Sequence, residues 1–194
     1  LVALGLGLFL GAFFPTSMVS SLGGWIMNAR VPDPQLVNVL REVHRETGDP
    51  VSLNVRQGMD SECIYALSLE EPALPIRVGR RTPLCHTSAG IALLGRLSPE
   101  EANGIIERAD PAPCSTATAS SLKARVDSAR RLGHSCGPSA SAPGSVSFGK
   151  CVRNRLSGIL VAIGVDRLGQ AGEGFAHELE QLLTAKLQDY AELP

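Results

Sequence analysis

The chain has 194 residues, of which 44% are hydrophobic, 19% charged and only 4% aromatic. This length suits one domain, or one domain with an appended helical segment, and the core should consist mainly of Leu, Val, Ile and Ala. Eighteen basic residues against nineteen acidic ones leave a net charge of −1, which favours neither a nucleic-acid-binding face nor an anionic membrane surface, because both need a basic surface.

The first stretch, LVALGLGLFLGAFF, is apolar throughout. It is shorter than the roughly 20 residues of a transmembrane helix, and it lacks the basic start and the small-residue cleavage site of a signal peptide. We therefore predict a helical linker segment over residues 1–30, packed against a partner helix or the domain itself. Pro15 breaks this run, and a second short helix is expected over residues 18–30. A signal peptide or membrane anchor is the alternative.

Residues 33–69 have the pattern of one helix followed by a hairpin. Asp33 is an N-cap, apolar residues then recur at helical spacing, and Gly48 and Pro50 end the helix. Alternating apolar residues predict strands over 51–56 and 63–69, with Cys63, Tyr65 and Leu67 on one face. The turn between them, at residues 58–61, makes a hairpin of the pair.

The stretch PIRVGRRTPLCHTSAGIALLG at residues 75–95 is the richest in chemistry. Ile76 and Val78 alternate with polar residues and predict a short strand, which a basic turn ends. Thr87 or Ser88 then caps an apolar helix. A helix start has unpaired backbone N–H groups that can receive a carboxylate, and the small residues at 88–90 would let a ligand approach. An ordinary capped helix packed on a sheet is the simpler interpretation.

The rest of the chain predicts further helices and a second hairpin. The pattern indicates helices from Ser98 and over 121–132 and 173–190, a turn-rich connection over 134–145, and paired strands over 146–153 and 158–165. The fold class is therefore α+β, an antiparallel sheet flanked by helices.

The five cysteines are odd in number and scattered, without a C-x-x-C pair, so reduced thiols in a cytoplasmic protein are expected and neither a disulfide framework nor a zinc ribbon. A metal site would need distant residues such as Cys85, His86 and His134 to meet. An enzyme is the other alternative, because Cys85 and His86 are adjacent, but neighbours in sequence point in different directions. We predict no catalytic residue, no metal and no cofactor.

The same stretch resembles the effector-binding domain of IclR-type bacterial transcription regulators, which carry a run close to R-x-G-R-R-x-P-L-H-A-T-A-L-G-K-A-L-L-A. The matching residues are Gly79, Arg80, Arg81, Pro83, Leu84, Thr87, Gly90, Ala92, Leu93 and Leu94. Cys85 stands where the family has His, and Ile91 where it has Lys. Further matches follow in the family's order at residues 40–58, 98–101, 130–134 and 158–165.

The resemblance implies a GAF-like effector-binding domain over residues 31–194, preceded by the linker helix. It implies a homodimer or homotetramer in the cytoplasm that binds a small metabolite, with an organic acid as the expected class. DNA would be reached only through a winged helix-turn-helix domain, which is not in this chain. A stand-alone GAF-like binding module without a transcriptional role is the alternative.

The resemblance also implies where the effector lies, near the small residues at the helix start and near polar positions of the last strands. The residues at those places are Ser88, Ala89, Ser147, Gly164, Asp166 and Gly137. Ser147 stands where the family has a Cys and could donate the same kind of hydrogen bond. Asp166 would repel a carboxylate if it faced the pocket. These changes would suit a bulkier, more apolar effector, or a pocket that binds nothing.

Overall fold

The structure is a computed structural model, and it describes residues 6–9, 12–15, 33–68, 76–109, 119–139, 144–169 and 174–191. The chain divides into two compact units, Leu1–Val31 and Pro32–Pro194. None of the helices in the described part of the chain is long and apolar enough to span a membrane.

The first unit contains two short strands, β1 (Leu6–Phe9) and β2 (Ala12–Pro15), paired antiparallel with Leu6 opposite Pro15. The linker helix expected over this stretch is therefore wrong for the described residues. The physical reason lies in the composition, because glycines disfavour a helix while Phe and the other bulky side chains suit a strand. The second helix expected over 18–30 lies outside the described residues.

The second unit has one six-stranded sheet and six α-helices in its described residues. The helices are α1 (Pro34–Thr47), α2 (Ser88–Leu94), α3 (Pro99–Arg108), α4 (Ala119–Leu132), α5 (Phe175–Lys186) and α6 (Gln188–Ala191). The strands are β3 (Val51–Gln57), β4 (Asp60–Leu67), β5 (Arg81–Pro83), β6 (His134–Pro138), β7 (Ser145–Arg153) and β8 (Leu160–Leu168). The strand order is β5-β4-β3-β8-β7-β6, and all neighbours are antiparallel. The predicted α+β class is confirmed.

Helix α1 has the limits that its capping residues predict. The carboxylate of Asp33 accepts a hydrogen bond from the Gln35 amide at 3.0 Å, and Pro34 occupies the first turn. Gly48 adopts the left-handed conformation, with φ of 70°, and its amide donates to the His44 carbonyl. The apolar face between these ends, which includes Leu36, packs with α5 onto the sheet.

Strand β4 contains an irregularity that changes which side chains share a face. Leu53 lies opposite Tyr65 whereas Asn54 lies opposite Cys63, so the register shifts by one residue at Ile64. Tyr65 and Leu67 pack against the core under α1 and α5, and Cys63 lines the opposite side of the sheet. The expectation that Cys63 shares their face is wrong because the extra residue reverses the alternation.

Two segments differ from the predicted elements because tertiary pairing outweighs local pattern. Residues 76–80 form a turn rather than a strand, with Gly79 at φ of 83° and its amide donating to the Cys63 carbonyl. The strand begins instead at Arg81, which pairs with Glu62. Similarly, the turn-rich connection expected from His134 begins as strand β6, since pairing with β7 supplies its hydrogen bonds.

Candidate functional site

A small cavity lies between one face of the sheet, the start of α2 and the segment 76–82. Its volume is about 60 Å³. One water molecule needs about 10–15 Å³ in such a cavity, so there is room for several waters or for a small ligand. Its walls come from β3, β4, β7 and β8, and most of the lining surface is apolar, with hydroxyl and charged side chains at several points.

Ser88 and Ser147 join the start of α2 to strand β7 at the floor of this cavity. The Ser88 hydroxyl donates to the Ser147 carbonyl at 2.9 Å, and the Ser147 hydroxyl lies 2.8 Å from the Ser88 hydroxyl oxygen. Both residues are buried. Because each buried hydroxyl has a partner, the pair holds the helix start in one position against the sheet.

The first turn of α2 has fewer open donors than the sequence suggests. The Ser88 amide donates to the Ser147 hydroxyl at 3.4 Å, and the Gly90 amide donates to the hydroxyl of the N-cap Thr87 at 3.0 Å. The helix has only seven residues, so its dipole is small. Receipt of a carboxylate at this helix start therefore stays a prediction, and charged side chains must supply most of the attraction for an anion.

Two glycines let α2 and the sheet come close. A Cβ atom on Gly149 would lie 2.3 Å from the carbonyl carbon of Ser88, and one on Gly164 would lie 2.7 Å from the Ser52 hydroxyl. Real Cβ atoms do not make such contacts, so only glycine fits at position 149, where the near atoms are backbone, whereas at position 164 the Ser52 side chain would have to move. Gly149 brings the helix start onto β7, and Gly164 leaves space on the cavity wall.

Opposite charges line the cavity. Arg77 and Arg80 approach from the segment before β5, and Asp166 lies on β8. The pKa of Asp166 is raised to about 6, because burial and the nearby Asp49 carboxylate together outweigh the lowering effect of a hydrogen bond with Ser139. The cavity therefore combines cationic groups at one wall with a carboxyl group that resists ionisation at another.

The hydroxyl of Ser61 lines the same cavity without a partner. Ser61 is 3% exposed, and its Oγ atom has no hydrogen-bond partner among the described residues. The Asn54 side chain, on the neighbouring strand, donates to the Ser52 hydroxyl at 2.9 Å. A buried hydroxyl without a partner costs about 1–3 kcal/mol, which a bound ligand or water can recover.

The structure brings together five of the six residues predicted for effector binding: Ser88, Ala89, Ser147, Gly164 and Asp166 all line the cavity. Gly137 does not line it, but its carbonyl lies 3.5 Å from the Ser147 hydroxyl. Effector binding by these residues stays a prediction.

Sequence analysis missed several polar lining residues, namely Ser52, Asn54, Ser61, Cys63, Arg77, Thr82 and Ser139. A signal existed for the first two, because they alternate with Val51, Leu53 and Val55. Such alternation normally indicates a solvent-facing side, and the cover that α2 provides could not be read from β3 itself.

The alternatives based on Cys85 have no support from the geometry. Burial raises the pKa of the Cys85 thiol, which disfavours the reactive thiolate. His134 stacks on Phe148 and faces Glu180 of α5, whereas Cys85 belongs to the core cluster around α2. The described residues contain no group of three His, Cys, Asp or Glu side chains that could hold a metal ion.

Comparisons with protein families and with solved structures agree with the observed fold. Residues 35–193 match the family model described as Bacterial transcriptional regulator IclR C-terminal. No curated protein sequence matches the chain. Among solved structures, a transcriptional regulator from Rhodococcus sp. RHA1 is 20% identical with a TM-score of 0.78, over 97% of this chain and 78% of its own.

Two other solved structures show the same fold. IclR of Thermotoga maritima is 16% identical with a TM-score of 0.74, over 91% of this chain and 74% of its own. An IclR homolog from Microbacterium hydrocarbonoxydans, solved with 4-hydroxybenzoate, is 19% identical with a TM-score of 0.76, over 97% of this chain and 80% of its own. The match over residues 35–193 shows that the chain belongs to the IclR family of bacterial transcriptional regulators, of which it carries the C-terminal domain.

Proposed function

We propose that this domain senses a small organic acid and oligomerises, and that the acid changes how the regulator binds DNA. The observation that carries the proposal is the cavity at the start of α2, with Arg77 and Arg80 at one wall and hydroxyl groups around it. Two guanidinium groups attract a carboxylate, and Arg forms strong charge-assisted hydrogen bonds with this group.

Two solved relatives support this class of ligand. The structure of the Microbacterium hydrocarbonoxydans homolog is of a complex with 4-hydroxybenzoate. A double mutant of the inducer-binding domain of PobR from Acinetobacter was solved with 3-hydroxybenzoic acid. Both ligands are small acids that carry a hydroxyl group. Because the fold is shared, these complexes support a small acid as the ligand of this chain.

The effect on DNA needs a second, coupled equilibrium. A bound acid would favour one arrangement of subunits over another. This shift would change the spacing of the helix-turn-helix domains in the intact regulator. A homodimer is the simplest symmetric assembly, and a homotetramer is a pair of such dimers. The domain would act in the cytoplasm by binding alone, without catalysis, cofactor or metal.

The first test is a thermal-shift screen of small carboxylates against the wild type and the Arg77→Glu variant. A ligand at about a hundred times its dissociation constant stabilises the fold by roughly 2.7 kcal/mol, which raises Tm by several degrees. Reversal of the charge at Arg77 should weaken acid binding about tenfold or more. Arg131→Glu, the same change at an exposed position of α4, is the matched control.

Sedimentation measured with and without the best acid tests the second half of the proposal. We expect a dimer or tetramer whose distribution shifts when the acid binds. A chain that stays monomeric at every concentration and binds no acid would overturn the proposal.

A further inference from the structure

Asp166 is the charged residue that makes this cavity distinctive. It lies on β8 opposite Ser147, and its backbone amide donates to the Pro50 carbonyl at 3.0 Å, so its position is set by the sheet. Gly164, two residues earlier and therefore on the same face, also lines the cavity. Strand geometry thus directs the carboxylate of Asp166 to the ligand side of the sheet.

This carboxylate has no cationic partner among the described residues. Its side chain hydrogen-bonds with Ser139, a neutral group. The adjacent Arg167 is engaged elsewhere, since its guanidinium donates twice to the Asp49 carboxylate, at 2.7 Å and 3.0 Å to the same oxygen. Asp49 itself adds a second negative charge nearby. An ionised carboxylate in such surroundings is costly unless a cation or further donors reach it.

The segment before β5 carries the complementary charge. Its Arg77 and Arg80 line the same cavity as Asp166. The Ser61 hydroxyl also lines this cavity. It is buried and has no hydrogen-bond partner among the described residues. The cavity is therefore bipolar, and a ligand with only a carboxylate would satisfy one wall and face repulsion from the other.

We propose that the cavity selects a small organic acid that also carries a protonated amine, with the ammonium group at Asp166 and the carboxylate towards Arg77 and Arg80. This inference rests on the proposed sensing function and names the ligand class of the same site. The ammonium group supplies the counter-ion that Asp166 lacks, and it can donate three hydrogen bonds. Asp166 then rejects simple carboxylates and determines specificity.

Short aliphatic acids are suitable probes of this selection. The cavity, at about 60 Å³, has room for a chain of a few carbons. A hydroxy acid of the same length is the closest competitor, because its hydroxyl can also donate to Asp166. It lacks the positive charge, however, and a hydrogen bond between charged groups contributes more than a neutral one.

The test uses matched compounds that differ in one group. Calorimetric titration with propionate, lactate, alanine and β-alanine at about pH 8 measures binding to the wild type and to Asp166→Asn. We expect the wild type to bind the better of the two amino acids at least about tenfold more tightly than propionate. In Asp166→Asn that preference should fall to within about twofold, since the amide keeps the shape but not the charge.

Asp60→Asn is the matched control, because it removes the same charge from a strand of the same sheet outside the cavity. It should keep the wild-type preference. If the wild type binds propionate or lactate as tightly as the amino acids, the inference is wrong while the sensing function stands. If none of the compounds binds and the wider acid screen is also silent, the sensing function itself is wrong.

Discussion

The two faces of the central sheet are built from the same strands, and they differ in how completely their apolar cores are closed. On one face, here called the apolar face, Val51, Leu53 and Ile163, with their neighbours, form a closed core beneath α1 and α5. The other face also packs an apolar core, which includes Ala162 beneath α2, but Ser52 and Gly164 line a cavity beside it. The two-residue period of a strand therefore gives both faces a core and places the cavity on one of them.

This comparison shows how a small domain can hold buried polar groups. The two apolar cores supply the burial that drives folding, so the cavity can tolerate a charged carboxyl, a hydroxyl without a partner and close glycine contacts. Such local conflicts with good packing are typical of functional sites. Substitutions in the closed core and at the cavity should therefore differ in size, and at Asp166 also in sign.

The largest expected effect is on the apolar face. Phe148 is fully buried in the core beneath α1 and α5, and Phe148→Ala should lower the free energy of unfolding by about 3–5 kcal/mol through lost burial and a new void. Urea denaturation measures the loss. Val78→Ala, at a residue that is 54% exposed, should stay within about 0.5 kcal/mol of wild type. Equal losses in the two variants would contradict the assignment of the core.

Gly149→Ala tests the contact between α2 and the sheet. The added methyl would lie 2.3 Å from Ser88 backbone atoms, so the helix start must move, at a cost of about 3 kcal/mol. Gly104→Ala is the same chemical change within α3, where the nearest atom is 3.7 Å away on a flexible side chain. It should stabilise by up to about 1 kcal/mol, because Ala is the better helix former. Similar melting shifts in both variants would refute the close approach.

Asp166→Asn should stabilise the fold, although it is expected to damage amine recognition. Since the pKa of Asp166 is raised to about 6 in the folded state, the folded chain binds this proton more tightly than the unfolded chain. The free energy of unfolding should therefore fall as pH rises from about 4 to 6, and the variant should lack this component. Above about pH 7 the expected gain is roughly 1–3 kcal/mol.

The measurement for Asp166→Asn is the difference between the two unfolding curves at several pH values. Using the difference cancels the titration that both proteins share. If the difference in the free energy of unfolding does not change with pH, the surroundings of Asp166 do not disfavour its ionised form.

The smallest expected effect concerns the hydroxyl pair at the cavity floor. Ser147→Ala removes the hydroxyl that lies 2.8 Å from Ser88 Oγ, while the hydrogen bond from Ser88 to the Ser147 carbonyl stays possible. The cost should be about 1 kcal/mol. Ser68→Ala, at an exposed position, should have almost no effect in the same urea titration. A loss much above 3 kcal/mol would mean that Ser147 has a larger structural role.

Local sequence determines the elements whose signals lie within a few residues. Asp33, Pro34 and Gly48 set both ends of α1 because capping needs only neighbouring backbone groups. Ser98 does the same for α3, where its hydroxyl accepts from the Glu101 amide at 3.2 Å. The hairpins follow from alternation and turns. For the glycine-rich residues before Pro15 a helix is predicted, whereas the structure has strands. The reason is that an apolar run alone does not distinguish a helix from a strand.

The sequence by itself determined the α+β class, the capped helices and five residues of the cavity wall. Only the tertiary structure decided the rest: the one-residue shift that moves Cys63 across the sheet, the edge strand from His134, and the presence of Asp166, Arg77 and Arg80 in one cavity. These features depend on partners far away along the chain. Contacts of that kind are set by how whole elements pack and not by the preferences of neighbouring residues.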